Sequence, residues 1–197
     1  MEEIFHVGRE ALKDQKQFWE GWIVLLKNKQ GDIAGRLLKD AVLYSQGIDG
    51  LVHIADESAA VHPSLYLAAM DVYGKAQDYE KIEKTGGKVL EKVNRQLKIR
   101  AEICLKAAYA SFRLGHEEKM MKFCWECFCS ESTEKNFLRL FGTKEMAAQY
   151  GMRGKEVLKN RIRGNCENDI RNTELHRNII DGYSYYFLSF YMGILYL

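Results

Sequence analysis

A unit that returns about every 39 residues constrains this chain more than any other feature. Ala108, Gly115 and Glu117 are each followed, 39 residues on, by Ala147, Gly154 and Glu156. One step earlier, Tyr66, Tyr73 and the run Gln77-Asp78-Tyr79-Glu80-Lys81 take nearly equivalent places, with a one-residue slip. Self-similarity at a period of about 20–50 residues points to a stacked helical array, in which each unit buries its apolar face only against its neighbours. The expected fold is all-α, with antiparallel helix pairs stacked over residues 1–163. A polar segment and an apolar aromatic tail follow over 164–197.

Composition supports that expectation and narrows the function classes. One proline in 197 residues suits helices, because proline removes a backbone donor and clashes with the preceding turn. Lys and Arg number 29 against 27 Asp and Glu, so the whole molecule has no strong field to draw in nucleic acid or a membrane. Glu2, Glu3, Arg9, Glu10, Lys13 and Asp14 stand where a secretory leader would need an apolar core. Five cysteines, an odd number, do not read as a disulfide framework, and a cytoplasmic location is expected.

Apolar spacing divides the chain into helices. A stripe from Ile4 to Leu26 reads as one helix to about Asn28, and Asp32 is placed to cap the next. Gly47-Ile48-Asp49-Gly50 is expected to end that helix and start another, and His62-Pro63-Ser64 marks a sharp boundary. Leu65, Ala68, Ala69, Val72, Tyr73 and Ala76 would share one buried face. Asp78 is a cap for the helix beyond, where Gly86-Gly87 suggests a kink or a tight backbone contact. Helix pairs are expected over 96–114 with 116–129, and over 143–150 with 153–162, around a short helix at 136–141.

These helix pairs, with alanine at the eighth position, an aromatic at the eleventh and Gln77-Asp78-Tyr79-Glu80-Lys81 at the turn, resemble the tetratricopeptide repeat. Gly115-His116-Glu117-Glu118-Lys119 is a looser version of that turn. The period is nearer 39 than 34, the helix-ending proline is missing, and Gly86 replaces the usual aromatic, so the array is a divergent one. The resemblance implies a right-handed superhelical array with a concave binding face. Arg36-Leu37-Leu38-Lys39-Asp40-Ala41, Gly47-Ile48-Asp49-Gly50-Leu51, His62-Pro63-Ser64-Leu65-Tyr66-Leu67 and Lys98-Ile99-Arg100-Ala101-Glu102-Ile103 are similar to the helical region that follows the zinc finger in bacterial SWIM-type proteins. The finger itself needs C-x-C and then C-x-H; Cys127-Phe128-Cys129 has the first form, but Cys166-Glu167-Asn168 does not supply the second. That resemblance implies an accessory helical part without its metal module.

Candidate chemistry is sparse. Cys124, Cys127 and Cys129 could begin a zinc site, but on a helix Cys129 leaves the face shared by the other two. They read instead as small apolar residues filling a helix interface. His53 and Glu57 lie four apart without a second His-carboxylate pair, and no serine or cysteine is linked to a base. No cofactor and no enzymatic activity are expected. The favoured function is a protein-interaction scaffold taking a peptide or protein segment on the concave face, with Tyr66, Asp71, Tyr73 and Arg113 as binding residues. The alternative is a nucleic-acid-binding accessory domain using 139–163. That stretch holds Arg139, Lys144, Arg153, Lys155, Lys159, Arg161 and Arg163 against two glutamates, with Lys155, Lys159, Arg161 and Arg163 at its basic end. The last 16 residues, Gly182 to Leu197, carry no charge. They are too short for a favoured membrane span and are expected to cap the array or to form a homodimer.

Overall fold

The computed structural model describes residues 14–165, with side chains through Leu158. The N-terminal part of the first expected helix and the 182–197 tail lie outside the described residues. Among the described residues the regular structure is entirely helical. Helix α1 (Gln15–Lys27) buries Trp19, Ile23 and Leu26, spaced four and three apart on one face. Residues Asp32–Glu57 form α2, two helical arms joined across a kink at Gly47 (φ 70°, ψ −161°), where the sequence predicts one helix to end and another to start. Gly31 occupies its cap position, so Asp32 lies in the first turn, where its negative charge complements the positive end of the helix dipole.

Helix α3 (Ser64–Lys75) starts after Pro63 and buries Leu65, Tyr66, Ala69, Met70 and Tyr73. This stripe is turned relative to the expected one: Ala76 is exposed, while Ala68 and Val72 are only half-buried. Tyr66 drives the rotation, since its large ring is fully buried and its hydroxyl donates to Asp56 Oδ1 at 2.9 Å. A hydroxyl with a buried-side partner removes the penalty that would otherwise keep the ring at the surface.

Helix α4 (Tyr79–Lys92) is capped by Asp78, whose carboxylate accepts from the Lys81 N–H. A Cβ at Gly86 would lie 2.4 Å from the Ala107 Cβ and 3.1 Å from the Phe123 ring. Gly86 is therefore a close-approach site between α4 and helix α5 (Lys98–Arg113), not a kink. Helix α6 (Glu117–Ser130) follows a turn in which Gly115 takes φ 75°. From α1 to α6 each helix packs on the next, and α3 also packs on α5.

The α3–α4 and α5–α6 turns are equivalent. Gln77 (φ 55°) matches Gly115 (φ 75°). The Asp78 N–H reaches back to Tyr73 O as the His116 N–H reaches Ser111 O, each at 2.9 Å. These are paired helix-ending motifs, and their offset is 38 residues rather than 39.

The next expected copy is absent. After α7 (Glu134–Leu138) and a 3-10 turn at Arg139–Phe141, helix α8 (Lys144–Met146) runs through a π-turn at Ala147–Gly151 straight into α9 (Met152–Asn165). No turn separates the helices expected at 143–150 and 153–162. Gly115 has open space around it, whereas a Cβ on Gly154 would meet Leu140 at 3.0 Å and Phe137 at 3.1 Å. Gly151 faces Phe141 in the same way, at 3.0 Å. The glycines of this last segment thus admit aromatic rings against a helix, a use unrelated to chain reversal.

Candidate interaction surface

The first helices of the two equivalent pairs, α3 and α5, carry the best-defined polar surface. Asp71 on α3 is exposed and accepts from Lys106 Nζ on α5 at 2.6 Å. Lys106, Tyr109 and Arg113 are three and four residues apart, so they line one face of α5. Arg113 Nη1 donates to the Tyr109 hydroxyl at 3.0 Å, and its guanidinium lies 4.7 Å above the Tyr79 ring. The two tyrosine rings meet edge-to-face at 6.1 Å. Tyr79 reaches this position because the Gln77-Asp78 turn sets the first residue of α4 against α5. The Tyr109 hydrogen bond, together with both tyrosines, pushes the Arg113 pKa further up. The side chain is a permanent cation held on aromatic faces. Beside it, Phe112 leaves 52% of its surface exposed.

Asp71 and Arg113 are both exposed, on α3 and α5. Tyr66 is not: it is 0% exposed, and burial followed by the Asp56 contact pushes its phenol pKa up. Tyr73 is likewise packed inside, with Lys81 5.2 Å over its ring. Tyr79 and Tyr109 supply the surface aromatics in their place. The only sequence signal for them was the i, i+4 pairing of Tyr109 with Arg113 and the place of Tyr79 just after a cap.

Behind this surface, carboxylates tie successive helices together. Asp56 on α2 accepts from Tyr66 on α3 and from Lys88 on α4, the latter at 2.5 Å. Glu83 on α4 is buried and accepts from Ser111 at 3.0 Å, from His116 Nδ1 at 2.7 Å and from Lys119. Burial alone would raise the Glu83 pKa, but these three hydrogen bonds outweigh it and hold the carboxyl below its usual range. Glu126 on α6 accepts from Arg95 at 2.6 Å and from the buried Arg100 at 2.8 Å. None of these latches was legible in the sequence, because their partners lie 10 to 36 residues away.

The basic stretch is partly consumed by the fold. Arg153 lies 4.9 Å over the Trp125 ring, which itself stacks on Tyr150 at 5.2 Å. Arg139 donates to Asn136 Oδ1, and Lys155 is half-buried. The side chains of Lys159, Arg161 and Arg163 lie outside the described residues, although α9 runs through their positions. Cys124 and Cys127 are buried and Cys129 is half-buried. Burial pushes the Cys124 thiol up to about 12 and that of Cys127 to about 11, so both are protonated thiols within a helix interface. Among the described residues, no group of three or more His, Cys, Asp or Glu side chains could hold a metal ion. His53 and Glu57 form an exposed pair at 3.3 Å, and Glu57 also accepts from Lys27. No described helix is long and apolar enough to cross a membrane.

Comparison with known proteins adds one similarity. No family model and no solved structure matches the chain. A protein named 33 kDa chaperonin, from Chromobacterium violaceum, is 26% identical over 147 residues. The match covers 72% of this chain and 46% of that protein, so the chain spans less than half of the relative's length.

Proposed function

We propose that this chain is a non-catalytic interaction module that binds a peptide or protein segment across α3 and α5, as in a divergent tetratricopeptide-like array. The Tyr79–Tyr109–Arg113 cluster carries this reading. It is a preordered cation on two aromatic faces, flanked by an exposed phenylalanine and a charged pair. Arginine and aromatic side chains of this kind dominate binding energy at protein interfaces. The similarity to a protein named 33 kDa chaperonin is compatible with this reading. The test is quantitative affinity capture from a native extract, comparing the full chain with Tyr109→Ala/Arg113→Ala. A partner that binds the intact surface should lose affinity by about 2 kcal/mol or more in the variant. Equal recovery of every partner by both proteins would overturn the assignment.

A second reading, phosphate binding through α9, draws on Lys155, Lys159 and Arg163, which recur every four residues along an unbroken helix. It requires affinity for nucleic acid that falls steeply with salt and disappears when Lys155, Lys159, Arg161 and Arg163 become alanine. Binding that ignores salt removes it.

A further inference from the structure

Exposed apolar surface is concentrated at one end of the helix stack. Among the described residues nine large apolar side chains are exposed, and five of them, Phe18, Val24, Leu25, Ile33 and Tyr44, belong to α1 and the first arm of α2. The rings there form a continuous cluster. Phe18 meets Trp19 at 5.2 Å and stacks on the half-buried Trp22 at 6.4 Å, and Trp19 meets Tyr44 at 5.2 Å. On α1, Phe18, Gly21, Trp22 and Leu25 recur at i, i+3, i+4 and i+7, one face beside the buried Trp19–Ile23–Leu26 stripe. Helix stacks end in polar outer faces, so an apolar one on a terminal helix needs a cover.

The chain enters this face through a reversal. Asp14, directly before α1, has φ 61° and ψ 38°, and its carbonyl accepts from the Phe18 N–H at 3.1 Å. A left-handed residue does not continue an α-helix, so the single helix that the apolar stripe from Ile4 to Leu26 suggests is broken here. Gln77 (φ 55°) and Gly115 (φ 75°) are also left-handed, where α3 turns back into α4 and α5 into α6. Before Asp14, Ile4, Phe5, Gly8, Ala11 and Leu12 recur at i, i+1, i+4, i+7 and i+8. The charged residues Glu2, Glu3, Arg9, Glu10 and Lys13 fall on the opposite side of that pattern. Thirteen helical residues make about 20 Å, the length of the 13-residue α1.

We propose that residues 1–13 form a helix that turns back at Asp14 and lies antiparallel along α1, covering its Phe18–Gly21–Trp22–Leu25 face. Ala11 and Leu12 then stand against Phe18, Gly8 against Gly21, and Ile4 and Phe5 against Leu25. The facing glycines permit a close approach, as Gly86 does between α4 and α5. The charged side of 1–13 becomes the polar end of the stack, and the aromatic face is closed to partners. The apolar 182–197 tail follows α9 at the other end of the stack, whereas 1–13 joins α1 through one residue and so has far the higher effective concentration. This surface is separate from the α3–α5 face and does not rest on the protein-binding reading.

NMR of the full chain tests the proposal directly. Methyl–ring NOEs should join Leu12 to Phe18, and methyl–methyl NOEs should join Ile4 to Leu25, within one molecule. Gly21→Gln is an independent probe. No atom of the described residues lies within 4 Å of a Cβ at Gly21, so on an open face this change would raise Tm through helix propensity. Under a packed helix it should lower Tm by about 4 °C or more. Ile4→Asp/Leu12→Asp, which releases the segment without altering α1, should abolish that loss and lower Tm in its own right. Asp14→Gly should raise Tm by about 1–2 °C, because glycine takes the left-handed conformation without strain. NOEs to these α1 side chains from aromatics of 183–196 instead, NOEs seen only between differently labelled copies, a higher Tm for Gly21→Gln or a lower one for Asp14→Gly would each overturn it.

Discussion

The segment from α3 to α6 and the segment from α7 to α9 share glycine and alanine at a near-constant spacing, yet they use them differently. In the first, Gly115 lets the chain reverse in a left-handed conformation that Gln77 matches one pair earlier. In the second, Gly154 and Gly151 sit inside a continuous helical run and make room for Leu140, Phe137 and Phe141. The same residue type thus meets a backbone requirement in one region and a packing requirement in the other. Periodic sequence identifies periodic helices only where both the turn and the buried face recur together.

The largest effect should come from Gly86→Ala. Its new methyl would stand 2.4 Å from Ala107 Cβ, an atom fixed to the α5 backbone, so the two helices must separate. Stability by urea unfolding should fall by about 2 kcal/mol, net of the gain in helix propensity. Adding Ala107→Gly should restore much of the loss. An unchanged midpoint for Gly86→Ala would show that α4 and α5 do not approach so closely.

Next in size is Glu83→Gln, which keeps the shape but removes the charge shared by Ser111, His116 and Lys119. It should cost about 1–2 kcal/mol near neutral pH, since a charged hydrogen bond is replaced in a buried site while the Lys119 ammonium stays largely solvated. Glu83 and Asp56 both have folded-state pKa values below the ordinary ones. Their contribution is therefore present above the unfolded carboxyl range. It is lost as pH falls through the lower folded values, where the unfolded state binds more protons. Unfolding free energy measured from pH 6 down to about pH 3 should drop for the parent and drop less steeply for Glu83→Gln. Parallel slopes would show that the Glu83 latch is not formed.

A direct comparison of the two regions comes from Gly115→Ala and Gly154→Ala. Gly115→Ala should cost about 1 kcal/mol, because φ 75° strains any side chain although the space is open. Gly154→Ala combines a helix-propensity gain of about 1 kcal/mol with contacts at 3.0 Å to Leu140 and 3.1 Å to the Phe137 ring, where each neighbour must yield only slightly, so its net change should be smaller. Equal losses at both sites would restore the two glycines to structural equivalence. The smallest effect should be a gain: Gly87 lies in α4 with nothing within 4 Å, so Gly87→Ala should stabilise by about 0.5 kcal/mol. Destabilisation by this change would contradict the open space at Gly87.

Much of the secondary structure was legible in the residues alone. Pro63, Asp78 and Gly115 punctuate the chain through local backbone chemistry, and the structure has helix boundaries at each. Gly47 signalled the end of one helix and the start of another, and α2 breaks into two arms there. Apolar spacing found helices because a helix must bury one face, whatever it packs against. Of the candidate binding residues, the exposure of Asp71 and Arg113 was legible, because charged side chains on a periodic helix stay solvated.

Tertiary structure alone decided which aromatic accompanies them. Tyr66 and Tyr79 are the same residue type on adjacent helices, but Asp56 on α2 offers Tyr66 an acceptor inside the core. Tyr79 is half-buried at the edge of the core, where its ring meets Tyr109 and Arg113. The latches at Glu83 and Glu126 likewise join residues from separate helices. Their energies depend on distance and desolvation, which linear spacing does not encode. Helix existence is a local property of this sequence. The pairing of its charges, and the use made of each glycine, are properties of the packed chain.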